Sequence, residues 1–243
     1  MMTSTEPAKQ KIPQTDFMLR QVPFCPVDED FVDISEYSHG KILVDMQYYK
    51  MSINGAVNRA FVRKTVGDML IKAQSMLPEG YRLKIWDAWR PYDVQKSIYD
   101  IYFNSLKNDE KYRYFSDDEL HEMARQFVSY PDKNKNPSFV HSSGGAVDLT
   151  VTDENGNELN MGTGFDDFSE RAYTAFFEKS CENEAVKNNR RILHSVMEQC
   201  GFKNYAYEWW HYDYGDTFFG SITDESVKYG SVFDIDELKV ADK

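Results

Sequence analysis

The sequence predicts an α+β fold built as one domain around a central antiparallel sheet with flanking helices. Three observations carry that expectation. Helical and strand periods are interspersed without regular β-α-β alternation. The stretch GAVDLTVTDENGNELNM alternates on either side of Asn155-Gly156, the strongest short hairpin signal. The chain has 243 residues, 41% of them hydrophobic and 15% aromatic, enough for one substantial core, and no linker-like stretch divides its middle.

The elements follow in order. The first twenty residues are polar and patternless, so residues 1–20 are expected to be flexible, 21–220 to form the domain and 221–243 to extend beyond it. From Arg59 to Leu77, the spacing of Val62, Val66, Met69, Leu70, Ala73 and Leu77 predicts a helix that Pro78-Glu79-Gly80 ends. YRLKIWDAW then alternates as a strand with Leu83 and Ile85 on one face. Pro91 opens a second helix. Ser116 and Glu119 form a capping box for a third, carrying Leu120, Met123, Ala124 and Phe127. After the loop PDKNKNPS and the hairpin, a helix from Glu184 to Cys200 buries Ile192, Leu193, Val196 and Met197 and stops at Gly201. YEWWHYD follows as a strand.

A net charge of −12 excludes the basic footprint of a nucleic-acid binder. No apolar run reaches the length of a membrane span, and the N-terminus shows no export signal. Cys25, Cys181 and Cys200 are odd in number and lack redox or zinc spacing, which fits reduced thiols and a cytoplasmic protein.

Five histidines can be sorted by context. His121 lies in HEMAR, where Arg125 replaces the second histidine of a zincin helix, and is expected at an exposed helical position. His194 lies opposite the apolar stripe of its helix, which predicts a surface position, and His39 is a loop residue. His141 stands apart because Asp148 follows seven positions later, between Val147 and Leu149 of a predicted strand. A half-buried aspartate is costly unless paired or bound to a cation, and the intervening glycines let the two residues approach one ion. A loop histidine beside a salt-bridged aspartate fits equally well.

A catalytic zinc takes three protein ligands and keeps a position for water. His211 would complete a His-Asp-His set, with Glu208 as the base for that water. The two residues are three apart, and a regular strand would point them to opposite faces. Sharing one metal therefore demands that the backbone bend or turn between them. Arg90, in WDAWRP, fits either an oxyanion-stabilising guanidinium or a structural partner of Asp87 or Asp93.

These segments together resemble the VanX-type zinc D-alanyl-D-alanine dipeptidases, whose wider family includes carboxypeptidases and is related in fold to the Hedgehog signalling domain. WDAWRP, HSSGGAVDLT, MGTGFDDFSER, NRRILHSVMEQCGF and EWWHY are similar, in order, to five family motifs, between Asp45 and Asp216. The resemblance implies one zinc ion held by His141, Asp148 and His211, Glu208 as general base and Arg90 at the oxyanion. It implies Asp166, ahead of Asp167, as the partner of the substrate's ammonium. It also implies hydrolysis of a small dipeptide, in cell-wall turnover, D-alanine recycling or antibiotic resistance.

The chain departs from this pattern at Phe139 and Val140, where the resembled enzymes carry serines, and at Ser143, where they carry arginine. These positions bear on which dipeptide is preferred. A D,D-carboxypeptidase acting on longer peptides and a zinc-stabilised binding module stand as the other two readings.

Overall fold

A computed structural model describes residues 11–14, 20–125, 127–167, 169–179 and 183–241. Cys181 and most of the expected flexible N-terminal segment lie outside the described residues. Seven strands are described: β1 Phe31–Asp33, β2 Leu43–Val44, β3 Phe61–Arg63, β4 Arg82–Asp87, β5 Ala146–Thr152, β6 Lys203–Asn204 and β7 His211–Asp213. The α-helices are α1 Ile34–Tyr37, α2 Gln47–Lys50, α3 Lys64–Met76, α4 Tyr92–Asn108, α5 Asp117–Arg125, α6 Glu184–Gln199 and α7 Thr217–Thr223. None is long and apolar enough to cross a membrane.

The main sheet runs β2-β4-β5-β7-β6. It is antiparallel from β4 to β6, while β2 joins β4 in parallel at one edge. A parallel neighbour needs a long crossover, and the excursion through α2, β3 and α3 supplies it. The fold is thus the expected α+β domain with a mixed rather than purely antiparallel sheet. β5 is buried along its whole length, yet its two faces differ. Val147, Leu149 and Val151 join α3 and α6 residues such as Leu70, Ala73, Leu193 and Val196 in the main core. The period of two therefore turns Asp148, Thr150 and Thr152 to the other face.

Several elements correct the sequence reading. The predicted helix Arg59–Leu77 begins as a strand, because Phe61–Arg63 pairs with Phe31–Asp33 before α3 starts at Lys64. Val62 fits both periods, and the distant partner strand decides the outcome. The Asn155-Gly156 turn forms, with Gly156 at φ +83°, but its return arm is reduced to a bridge between Thr152 and Glu158. Phe127 lies beyond the end of α5 and is 51% exposed rather than on a buried stripe. Ile192 is half-buried at the core's edge, and Arg190 takes a place on the buried face of α6.

The chain past α7 folds back on the domain. Val232 N donates to Ser142 O at 2.8 Å, Trp89 Nε1 to Val232 O at 2.8 Å, and Tyr92 N to Phe233 O at 3.0 Å. Phe31 exchanges backbone bonds with Lys239 and Ala241.

Candidate active site

Strand register builds the first part of the site. Asp87 of β4 stands opposite Asp148 of β5, which stands opposite His211 of β7, so three polar side chains form one row across the sheet. A register shift between Ile85 and Asp87 lets Asp87 join that row. His141 arrives from a 3-10 helix, Val140–Ser143, just before β5. Gly144 ends that helix at φ +73°, and a Cβ there would lie 2.3 Å from Phe31 Cε1. A Cβ on Gly145 would meet Tyr214 O at the same distance, so both glycines are required for the fold-back.

His141, Asp148 and His211 are buried, and their candidate ligand atoms all lie within 4.8 Å of one another. His141 Nε2 is 3.3 Å from His211 Nδ1 and 3.4 Å from Asp148 Oδ2, and His211 Nδ1 is 2.9 Å from Asp148 Oδ1. The outer ring nitrogens are committed as donors. His141 Nδ1 lies 2.8 Å from Ala88 O, and His211 Nε2 lies 2.9 Å from Asp213 Oδ1. Carbonyl and carboxylate oxygens accept, so in the neutral rings the inner nitrogens turn lone pairs towards one point. Ligands of a tetrahedral ion bound at 2.0–2.1 Å lie roughly 3.3 Å apart. The donor set fits a small divalent cation, with Ala88 O and Asp213 Oδ1 fixing the two tautomers.

The charges agree. Burial opposes ionisation of Asp148, yet His141 and His211 hold its carboxyl well below the usual range. Burial also disfavours charge on His211, but Asp213 and Asp148 raise it well above an ordinary histidine. The pull that these carboxylates exert on a proton is the pull they exert on a cation. Behind them, Asp216 is pushed far above the carboxylate range by burial and by its neighbour Asp213.

Glu208 lies on a turn, with its N–H donating to Tyr205 O and its C=O accepting from His211 N at 3.3 Å. β7 begins only at His211, so the backbone turns between the two residues as their odd spacing requires. Glu208 Oε2 is 3.9 Å from His211 Nδ1. Burial pushes its pKa up to about 8, against the opposing pull of His211. Trp209 and Trp210, each 1% exposed, anchor the turn from beneath, with Trp209 Nε1 bonded to Thr163 Oγ1.

Arg90 is fixed rather than free. Its Nε and Nη2 donate to Asp87 Oδ2 at 2.8 and 2.7 Å, and its Nη1 to Gln95 Oε1 at 2.7 Å. Its Nη2 also lies 3.6 Å from Asp148 Oδ2. The pairing with Asp87 considered from sequence is present, and Arg90 still lines the same cavity as His141, Asp148, Glu208 and His211. Asp166 lines it too, at φ +54°, and accepts from Tyr48 Oη at 2.8 Å. Burial, then Asp148, raises its pKa to about 7. Asp167 instead accepts from Ser169 N in a local turn.

The remaining candidates separate from this cluster. His121 is half-buried, stacked 4.0 Å from Phe103 and bonded to Tyr99 Oη. His194 is half-buried rather than at the surface, with its pKa lowered by burial, and His39 is exposed. Sequence reasoning missed Tyr48 and Asp213. A tyrosine on a one-turn helix carries no motif, whereas Asp213, two residues past His211 on one strand face, could have been found from spacing.

A buried two-histidine, one-aspartate group beside a carboxylate and a guanidinium, at the edge of a cavity, defines a metal-dependent hydrolase class of site. The comparison with known families makes it specific. The Peptidase_M15 family, described as D-ala-D-ala dipeptidase, matches residues 43–229. The chain belongs to this family of metallopeptidases. It is 34% identical over 159 residues to a D-alanyl-D-alanine dipeptidase of Enterococcus faecium, covering 64% of this chain and 74% of that protein. It is 42% identical over 156 residues to one of Escherichia coli K12, covering 64% and 67%. A third, from Enterococcus faecalis, is 33% identical over 175 residues, covering 67% and 80%.

Proposed function

We propose that this peptidase hydrolyses D-Ala-D-Ala or closely related D,D-dipeptides with one zinc ion held by His141, Asp148 and His211. The observation that carries the reading is the convergence of the two inner ring nitrogens and Asp148 at 2.9–3.4 Å separations, beside a buried glutamate. Bound zinc supplies Lewis acidity, drawing the pKa of a water down towards about 7 and polarising the scissile carbonyl.

The chain's own groups do the rest. Glu208 takes the proton from water as its oxygen bonds to the carbonyl carbon. It returns that proton to the amide nitrogen as the C–N bond breaks, releasing two amino acids. The guanidinium of Arg90, held by Asp87 and Gln95, faces the charge that gathers on the carbonyl oxygen without having to reorganise. Asp166, braced by Tyr48, holds the substrate's ammonium and so sets the scissile bond one residue from the N-terminus. That anchor favours a dipeptide over a longer chain, whose second amide would meet a buried carboxylate.

Metal analysis of the purified protein, joined to hydrolysis of the four alanine dipeptide stereoisomers, tests this. One zinc per chain and turnover confined to the D,D form are expected. Rapid cleavage of L-Ala-L-Ala with none of D-Ala-D-Ala would overturn the substrate assignment.

A further inference from the structure

The cavity beside these residues has a volume of about 370 Å³. A dialanine fills roughly 200 Å³ at the packing density of organic matter, so the space exceeds the expected substrate by somewhat less than twofold. The excess has a definite character. Ile98, Phe127, Val128, Phe139, Val140 and Phe218 all line the cavity. None belongs to the segments that carry Tyr48 and Asp166. They come instead from α4, the chain after α5, the residues preceding His141, and α7. Phe139 is 4% exposed and packs 6.4 Å from Phe233, so its ring is held in place.

Resting on the reading above, a bound dipeptide has a fixed direction. Its ammonium is at Asp166 and its scissile carbonyl at the His-Asp-His group, which sends the C-terminal residue into the remaining space. The free carboxylate of that residue enters a cavity already lined by Asp148 and Glu208 and requires a cation. Arg90 and Arg125 are the arginines on the cavity wall. Arg90 is engaged by Asp87 and Gln95. Arg125 ends α5, is paired at the surface with Glu122, and rests 5.7 Å over the ring of Tyr130.

We propose that this chain prefers D,D-dipeptides with a large apolar C-terminal residue over D-Ala-D-Ala, and that Arg125 binds their free carboxylate. Phe139 and Val140 set the side-chain preference, lining the cavity with hydrocarbon beside the C-terminal side chain. Arg125 discriminates a free acid from an amide or a continuing chain.

The test compares kcat/KM of the zinc-loaded protein on D-Ala-D-Ala, D-Ala-D-Leu, D-Ala-D-Phe and D-Ala-D-Leu amide. The leucine and phenylalanine dipeptides are expected to exceed dialanine by about tenfold or more, the range one apolar pocket gives. Phe139→Ser with Val140→Ser shrinks that gap. Arg125→Met raises KM for the free acid by about tenfold while kcat and the amide are unaffected, and Arg125→Lys restores part of the loss. Calorimetry with Glu208→Gln repeats the ranking as affinities without turnover. Equal or better cleavage of dialanine overturns the side-chain preference, and equal effects of Arg125→Met on acid and amide overturn the carboxylate assignment. Failure to cleave any D,D-dipeptide overturns the function beneath both.

Discussion

The cavity has two walls of different make. One is the sheet, where Asp87, Asp148 and His211 are cross-strand neighbours and every residue of β5 and β7 is buried. The other is the α4–α5 hairpin, which has its own small core of Tyr99, Leu106, Leu120, Ala124 and Val128. It presents Phe127 to the cavity at 51% exposure. A ladder of backbone bonds fixes the first wall. A satellite cluster of a few residues fixes the second more loosely. Gln95 fastens one to the other, accepting from Arg90 Nη1 and donating to Ser129 O at 2.6 Å.

If chemistry resides in the sheet wall, the largest effect belongs to Glu208→Gln. Turnover should fall by about a thousandfold with zinc content and melting temperature unchanged, as read by steady-state kinetics and metal analysis. Arg90→Lys keeps the charge but loses the planar fork shared by Asp87 and Gln95. A fall of about a hundredfold in kcat/KM is expected, and a loss confined to KM would move Arg90 from oxyanion to ground-state binding. Asp213→Asn weakens the orientation of His211 and should cost about ten- to a hundredfold in zinc affinity, measured by competition with a chelator, with activity recovered at saturating zinc.

Gln95→Met unfastens the second wall. It should lower stability by about 2 kcal/mol in urea unfolding and change activity severalfold, chiefly through KM. Hydrogen exchange should then quicken in residues 92–130 and leave β5 protected. Uniform loosening of both walls would show that they are one cooperative unit.

The sheet wall was the more legible in the sequence. Asp148 between two apolar strand residues, and Glu208 three positions from His211, are local contradictions that the neighbouring buried histidines and a turn resolve. The helices with clear caps or periods were equally legible, as the reciprocal Ser116–Glu119 bonds show. Pairings with distant partners were not. Nothing in Phe61–Arg63 announces Phe31–Asp33 as a partner, and two-residue strands such as Leu43–Val44 carry no period at all. Tyr48 was hidden for the same reason: its role is a contact with Asp166, 118 positions away.

The return of the chain's end has a consequence for the order of synthesis. Val232 and Phe233 lie beyond the family match, which stops at residue 229, yet they bond to Trp89, Tyr92 and Ser142, the neighbours of Arg90 and His141. During synthesis the residues proposed to hold a metal therefore precede the segment that frames them. A chain lacking that frame is expected to bind zinc more weakly. Normal zinc uptake by a chain shortened to residue 229 would contradict this.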